Sequence, residues 1–442
     1  QIVDLFAPTN FLATNPEAMQ KAVDTEGDSL VKGLENLVRD IEANEGDWLV
    51  TLSDPEAFQV GANIATSEGS VVFRNRMFEL IQYAPTTETV HKTPIVLFPP
   101  WINKFYILDL KPANSLIKWI VDQGYTLFVV SWVNPDESYS DVGFDTYVDE
   151  GFLTAVDVAK EITGEAAVNA IGYCIAGTTL AATLALMSRR GDTSIKSATF
   201  LTTLADFSDP GEMGVFLDSD FIDGIERESR AKGYLDKFFM GRTFSYLRSR
   251  DLVYGPAIKS YMLGEAPPAF DLLYWNGDGT NLPGPFVTEY LRKLCVRNEL
   301  ASTGFDLLGQ TGLTLGDVSV PLCGIACETD HIAHWRGAWQ TAAQFGSKDK
   351  TFILSQSGHI AGIVNPPARN KYGHYVNEVA ADTPDEWLEG ATFHEGSWWP
   401  RWEKWLRGRS GKKIAARAPG GEDHPVLDAA PGKYVLPERK SA

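Results

Sequence analysis

Three residues of this chain could together carry out nucleophilic catalysis: Cys174, Asp330 and His359. A cysteine attacks as its thiolate, a neighbouring histidine can accept the thiol proton, and a carboxylate can hold that histidine in the correct tautomer. A free thiol has a pKa of about 8.5, so such a base makes it an effective nucleophile at neutral pH. The three occur in the order nucleophile, acid, histidine. We therefore predict a Cys-His-Asp catalytic site.

Cys174 lies in a strand-turn-helix pattern. An apolar run ends at Gly172, and a helix-forming pattern resumes at Thr179. This pattern predicts a nucleophile elbow, whose usual sequence is Gly-x-Ser-x-Gly. Here cysteine replaces serine, and Ala176 takes the place of the second glycine, which follows as Gly177. Considered alone, Cys174 could equally be a buried small hydrophobic residue.

Asp330 and His359 each follow a predicted strand, over 320–326 and 351–354 respectively. In a parallel sheet the carboxyl ends of the strands meet at one edge, where Cys174 is also expected. Each residue has a structural alternative, because Asp330 could be a turn or cap residue and His359 a hydrogen-bonded core histidine. The correct order of all three favours catalysis.

An acyl-transfer site also needs N–H donors for the oxyanion of the tetrahedral intermediate. The backbone N–H of Ile175, directly after the nucleophile, is the expected first donor. The second is expected from the loop after the predicted strand 94–98, and we assign it to the N–H of Ile102.

The elements that must position these groups alternate between strands and helices. Strands are predicted over 94–98, 126–132, 167–171, 197–204, 320–326 and 351–354. The alternation predicts an α/β fold, with a mostly parallel sheet and helices on both faces, of the α/β-hydrolase type. An aromatic-rich stretch without this rhythm predicts an inserted cap (lid). The predicted organisation is an N-terminal helical remnant (1–60), a core in two parts (61–205 and 316–410), the cap (206–315) and a C-terminal tail (411–442).

The N-terminal region is predicted to be helical over 14–45. Leu30, Leu34, Leu37 and Ile41 recur at helical spacing, so we expect this apolar face to dock on something.

Composition excludes several classes of protein. A net charge of −19 argues against nucleic acid as a partner. No run of apolar residues is long enough to span a membrane, and the first residues do not form a secretory signal. Four cysteines provide no disulfide framework, which fits a reducing, cytoplasmic compartment. Cys323 and Cys327 lack a second pair at metal spacing, so we predict no metal site.

The basic stretch 401–417 is interpreted as solvated surface, with contact to a phosphate-bearing substrate or an anionic particle as the alternative. The choice of cysteine as nucleophile is more informative. Transfer of an acyl group from a thioester to cysteine forms another thioester, which keeps the group activated for attack by a hydroxyl. Cysteine therefore favours acyl transfer from a thioester over simple ester hydrolysis.

At this point the sequence resembles the polyhydroxyalkanoate synthases, most closely their short-chain class I. The resemblance covers essentially the whole chain. It is carried by the elbow and by the motifs at 10–17, 99–110, 130–136, 270–278, 282–285, 330–332, 357–362 and 430–435.

The resemblance implies catalytic Cys174, Asp330 and His359, with (R)-3-hydroxyacyl-CoA as substrate, such as 3-hydroxybutyryl-CoA, and polyhydroxyalkanoate as product. CoA is carried by the substrate, so no separate cofactor is expected. It also implies a cytoplasmic homodimer at the surface of polyester granules, beside phasin-like proteins. Further candidates for a substrate channel or a dimer contact are Trp275, His331 and Asn103.

Three departures from the family are expected to matter. The chain resembles a form lacking part of the usual N-terminal domain. Ala176 replaces a glycine of the usual Gly-x-Cys-x-Gly-Gly and is expected to add a methyl where strand and helix pack tightly. Trp101 replaces a smaller residue beside the proposed oxyanion loop. Two rival functions stay open, a thioesterase or polyester depolymerase with the same site and a non-catalytic granule-coating protein.

Overall fold

A computed structural model of the chain describes residues 2–44, 46 and 48–436. Its contacts divide the chain into two compact units. The first comprises the residues up to 59 together with 237–279, and the second comprises 60–236 together with the residues from 280 onward. The predicted insertion 206–315 is thus shared between the units, and its boundaries as a cap stay a prediction.

The strands of the described residues are numbered in chain order. They are β1 (Gly69–Arg74), β2 (Phe78–Tyr83), β3 (Thr89–His91), β4 (Ile95–Phe98), β5 (Leu127–Trp132), β6 (Val168–Tyr173), β7 (Ile195–Leu201), β8 (Tyr234–Leu235), β9 (Leu282–Pro283), β10 (Phe305–Leu307), β11 (Gln310–Leu313), β12 (Leu322–Cys327), β13 (Lys350–Ser355), β14 (His374–Val376), β15 (Thr392–His394), β16 (Lys413–Ala415) and β17 (Asp428–Ala429).

The α-helices are numbered in the same way. They are α1 (Ile2–Leu5), α2 (Pro16–Asp24), α3 (Asp28–Ala43), α4 (Leu116–Asp122), α5 (Phe144–Thr146), α6 (Thr154–Thr163), α7 (Ile175–Arg190), α8 (Ser219–Lys232), α9 (Lys237–Leu247), α10 (Gly255–Ala257), α11 (Asp271–Gly277), α12 (Gly284–Glu289), α13 (Trp335–Gln344), α14 (Pro384–Glu389) and α15 (Trp399–Arg407). Wider helical turns continue several of them, over Tyr147–Leu153, Arg250–Tyr254, Ile258–Met262 and Tyr290–Val296.

An eleven-stranded sheet forms the centre of the second unit, in the order β15-β14-β13-β12-β7-β6-β4-β5-β2-β1-β17. Its six central strands, from β13 to β5, are parallel, and the outer pairs are antiparallel. β4, β5, β6 and β12 are buried along their whole length, as expected for a parallel sheet covered by helices. The predicted α/β fold is confirmed, and the six strands predicted from sequence correspond to the six parallel ones.

Helix α3 differs from the prediction. Its buried residues are Ser29, Gly33 and Asp40, whereas Leu34, from the predicted docking face, is 61% exposed. The reason is a close backbone approach, because a Cβ on Gly33 would lie 2.1 Å from the carbonyl oxygen of Tyr261. The Tyr261 hydroxyl also donates to the Asp40 carboxylate at 2.8 Å. Small and polar residues therefore make this contact, while Leu30, Leu37 and Ile41 of the predicted apolar face are half-buried beside it.

The C-terminal residues form more structure than a tail. β16 pairs with β3, and β17 adds to the edge of the large sheet beside β1. In the basic stretch, Arg407 and Arg417 form ion pairs with Glu403 and Glu165. The two short strands were not predicted from the sequence, since strand pairing needs only backbone groups and a compatible edge.

Candidate active site

Cys174 occupies a strained turn between β6 and α7. Its backbone has φ 55° and ψ −124°, and its N–H donates to the carbonyl of Leu201 at 2.8 Å. A positive φ is costly for a residue with a side chain, and this strain is the mark of a nucleophile elbow. The turn leaves the thiol half-buried at the carboxyl edge of the sheet. The predicted elbow is thus present.

The glycines of the elbow have separate tasks. A Cβ on Gly172 would lie 2.7 Å from the Cα of Gly177, so these two residues allow β6 and α7 to approach closely. A Cβ on Gly177 would lie 1.9 Å from the Thr203 hydroxyl oxygen. Ala176 is fully buried, but the close approach of strand to helix occurs at Gly177. The expected effect of the Ala176 methyl stays a prediction, and the glycine at the closest approach is one residue later.

Asp330 and His359 lie together in the loops after β12 and β13. The Asp330 Oδ2 atom is 2.6 Å from the His359 Nδ1 atom, and both side chains are buried. The other carboxylate oxygen, Oδ1, accepts the N–H groups of Ile332 at 2.8 Å and Ala333 at 2.9 Å. These bonds fix the carboxylate, which in turn orients the imidazole.

The His359 ring also interacts with Cys174. Burial alone would lower the pKa of His359. The charges of Asp330 and Cys174 and hydrogen bonds to both side chains outweigh burial and hold this pKa well above its ordinary value. Because Nδ1 faces Asp330, Nε2 is the nitrogen available to the thiol. The structure therefore brings the three predicted residues together, in the order that proton transfer from sulfur requires.

Sequence analysis missed Tyr173 as a supporting residue. Its ring stacks on that of His359, with centroids 5.8 Å apart, and its hydroxyl donates to the His359 carbonyl at 3.2 Å. The signal was visible as an aromatic residue directly before the nucleophile, but its partner lies 186 residues away.

The two N–H groups predicted to bind an oxyanion are available. Within the described residues, neither Ile175 N–H nor Ile102 N–H donates to a protein acceptor. Ile175 begins helix α7, whose N-terminal end favours negative charge. Ile102 is buried in the loop after β4, and Phe98 of β4 pairs with Gly172 of β6. Buried N–H groups are rarely left unpaired, so these two are suited to a ligand oxygen.

Thr280 fixes the orientation of that loop. Its hydroxyl donates to the carbonyl of Trp101, and its N–H donates to the carbonyl of Ile102 at 2.9 Å. In a trans peptide the N–H points opposite to the preceding carbonyl, so the Ile102 N–H is directed away from Thr280. The Trp101 ring packs among Trp132, Tyr147 and Phe286, which accommodates the larger side chain at this position.

The remaining candidates are more dispersed. His331 follows Asp330, and Asn103 follows Ile102; both are half-buried. Trp275 is buried in α11 of the first unit. Their roles in a substrate channel or a dimer contact stay predictions.

The other three cysteines are buried, and burial raises the pKa of each, so they are poor nucleophiles. Among the described residues no group of three or more His, Cys, Asp or Glu could hold a metal ion. No helix in the described ranges has the length and apolar character needed to cross a bilayer.

The sheet order, the elbow and the Asp–His pair define an α/β-hydrolase-fold protein. A family model for the alpha/beta hydrolase fold matches residues 94–366, and one described as "Poly-beta-hydroxybutyrate polymerase (PhaC) N-terminus" matches residues 1–120. The solved structure of a monoacylglycerol lipase from Paleococcus ferrophilus is 14% identical, with a TM-score of 0.38, over 64% of this chain and 90% of the lipase.

Curated relatives identify the family. The poly(3-hydroxyalkanoate) polymerase of Methylorubrum extorquens is 45% identical over 98% of this chain and 72% of its own length. The poly(3-hydroxyalkanoate) polymerase subunit of Cupriavidus necator is 41% identical over 98% of this chain and 74% of its own length. The chain belongs to the poly(3-hydroxyalkanoate) polymerase family, as its motifs predicted.

Proposed function

We propose that this chain is an acyltransferase that polymerises (R)-3-hydroxyacyl-CoA, with short-chain substrates such as 3-hydroxybutyryl-CoA, through a thioester on Cys174. The observation that carries the proposal is the buried 2.6 Å contact between Asp330 and His359, beside a nucleophile held in a strained turn. The names of the polymerase relatives support the substrate class.

The first half-reaction loads the enzyme. His359 accepts the thiol proton, and the Cys174 sulfur attacks the thioester carbonyl. The resulting oxyanion accepts hydrogen bonds from the N–H groups of Ile175 and Ile102. As the tetrahedral intermediate collapses, the bond from carbonyl carbon to CoA sulfur breaks, and the CoA sulfur takes the proton from His359. The acyl group is then held on Cys174 as a thioester.

The second half-reaction forms the ester. A hydroxyl from another monomer or a chain end attacks the acyl-Cys174 carbonyl and gives its proton to His359. Collapse releases the Cys174 sulfur, which recovers that proton. Asp330 acts in this step through His359, because its Oδ2 atom contacts His359 Nδ1 and its Oδ1 atom is held by two N–H groups.

We further propose a homodimer in the cytoplasm, at the surface of polyester granules and beside phasin-like proteins. This assignment rests on the family and on the apolar product, since a growing polyester separates from water and the enzyme must stay with its chain end. The cap is proposed to limit entry of water, which would otherwise hydrolyse acyl-Cys174.

The test is CoA release from 3-hydroxyacyl-CoA of varied chain length, with the products examined for polymer. Cys174→Ala is expected to abolish CoA release and polymer formation without loss of fold. Cys295→Ala, which removes a buried thiol, is the matched control and should keep activity. Polymer made by Cys174→Ala would refute the thioester mechanism. Free acid as the sole product would indicate a thioesterase or depolymerase, and polyester binding without CoA release would indicate a coat protein.

A further inference from the structure

The loop that carries the Ile102 N–H has a second attachment besides Thr280. Two residues after Ile102, Lys104 is 93% buried, since only 7% of its surface is exposed. Its ammonium group donates to the carbonyl oxygens of Tyr434 at 3.4 Å and Val435 at 3.3 Å. These acceptors are 330 and 331 residues away in sequence. The loop is therefore connected directly to the C-terminal end of the described chain.

The segment that accepts these bonds, residues 426–436, is itself firmly attached; we call it the C-terminal strap. It begins with the pairing of β17 and β1. Further along, the N–H groups of Lys433 and Tyr434 donate to the carboxylate of Glu79, which is fully buried in β2. Val435 is also fully buried. The strap thus places its carbonyl groups at defined positions.

Both buried charges bond the strap backbone, and Glu79 also pairs with the guanidinium of Arg74. The Glu79 carboxylate accepts N–H groups of the strap, and the Lys104 ammonium donates to its carbonyl groups. A buried charge that loses such partners moves toward water or forces its surroundings to rearrange. For Lys104, that movement would begin two residues from Ile102.

We propose that Lys104 is a positioning residue for the reaction: by binding the C-terminal strap it sets the place of the Ile102 N–H that stabilises the oxyanion. Oxyanion donors must lie within tenths of an ångström of their productive position, because preorganisation is the source of their effect. Thr280 orients the loop through Trp101 and Ile102, and Lys104 attaches it to the strap. The strap is therefore part of the active-site framework. This inference rests on the proposed function.

The test compares two reactions of Cys174. Alkylation by iodoacetamide needs the thiolate and its His359 base but forms no oxyanion, whereas CoA release from 3-hydroxybutyryl-CoA needs both. For Lys104→Met we expect CoA release to fall about tenfold or more, while the alkylation rate stays within about twofold of wild type. Lys104→Arg, which keeps the cation, should recover part of the loss. The matched control, Lys118→Met, removes an exposed ammonium on α4 and should change neither reaction.

Two results would overturn the proposal. One is CoA release by Lys104→Met within twofold of wild type. The other is an equal loss in both reactions, which would mean that Lys104 is needed only for folding. If Lys104→Met does not fold, Glu79→Gln takes its place, because it loosens the strap without altering the loop. A loss of CoA release without a loss of alkylation in Glu79→Gln supports the proposal. An equal change in both reactions, or no change in CoA release, refutes it.

Hydrogen exchange provides a readout that does not depend on turnover. In Lys104→Met, amide exchange should accelerate in both 101–106 and 432–436 and stay unchanged across the elbow, 172–180. Unchanged exchange in the strap would refute the coupling. If wild type released no CoA, the proposed function would fail, and the exchange result would still decide whether the strap holds the loop.

Discussion

The nucleophile elbow and the loop after β4 lie side by side at one edge of the sheet and offer one N–H each, but they are built in different ways. The elbow is mostly local, since its strained turn, its helix and Gly172 and Gly177 lie within a few residues of Cys174. The loop is positioned from far away, by Thr280 and by the strap carbonyls of Tyr434 and Val435.

This difference teaches that the two halves of the site can fail separately. Damage to the elbow or to its histidine should impair every reaction of the Cys174 sulfur. Damage to the loop should impair only reactions that pass through an oxyanion. Alkylation and CoA release, measured together, divide variants into these two classes.

Among variants that keep the Cys174 nucleophile, the largest effect is expected from Asp330→Asn. The neutral amide does not favour the correct tautomer of His359, and it provides no negative charge to stabilise the protonated imidazole. The equivalent change in serine proteases lowers kcat about 10⁴-fold. We expect CoA release to fall by about that factor, and alkylation of Cys174 to fall as well, whereas Asp385→Asn on the exposed surface should be neutral. Alkylation at the wild-type rate would contradict the assigned role.

We also predict that the difference in unfolding free energy between wild type and Asp330→Asn depends on pH. The folded-state pKa of His359 lies well above its ordinary value of about 6.5. The stabilisation from protonated His359 is therefore fully present below about pH 6.5 and is lost as pH rises through the raised value. The gap in unfolding free energy between wild type and Asp330→Asn should be larger at low pH. Denaturant titrations at several pH values would measure it, and a gap that widens with rising pH would contradict the assignment.

Gly177→Ala should be next in size and should act on the elbow. The new methyl would overlap the Thr203 side chain, so α7 and the segment after β7 must shift, with a cost of about 1–3 kcal/mol in unfolding free energy. We expect both CoA release and alkylation to fall about 100-fold, since a displacement of about 1 Å has that effect. Ala176→Gly is the matched control, with little change in either reaction. Equal effects of the two substitutions would show that the elbow does not require glycine at position 177.

The smallest effect is expected from Thr280→Val, which acts on the loop. It removes the hydroxyl that donates to the Trp101 carbonyl but keeps the backbone contact to Ile102. Complete loss of an oxyanion donor costs about 10²- to 10³-fold, and a loosened donor should cost less, about tenfold in CoA release. Alkylation should be unchanged. Thr154→Val, at an exposed hydroxyl, serves as the control. If Thr280→Val also lost alkylation, Thr280 would act on the nucleophile and not only on the oxyanion donor.

Prediction from sequence was accurate where the pattern and its cause lie close together. The six parallel strands were predicted from short apolar runs between helical patterns. The catalytic site was predicted because Cys174, Asp330 and His359 occur in the required order and each follows a predicted strand. Prediction missed that Gly33 of α3 makes the closest approach, to the backbone of Tyr261, and that Leu34 is exposed. It also missed β16 and β17, because edge pairing leaves little trace in side-chain pattern.

The sequence by itself therefore determined the fold class, the family and the three residues expected to do chemistry, since each depends on local pattern and chain order. Tertiary structure alone decided which glycine of the elbow is required, how Tyr173 supports His359, and that Lys104 contacts the strap. These depend on contacts between residues that are distant in sequence, where a few tenths of an ångström separate an ordinary packing contact from a clash or a hydrogen bond. No pattern along the chain records such distances.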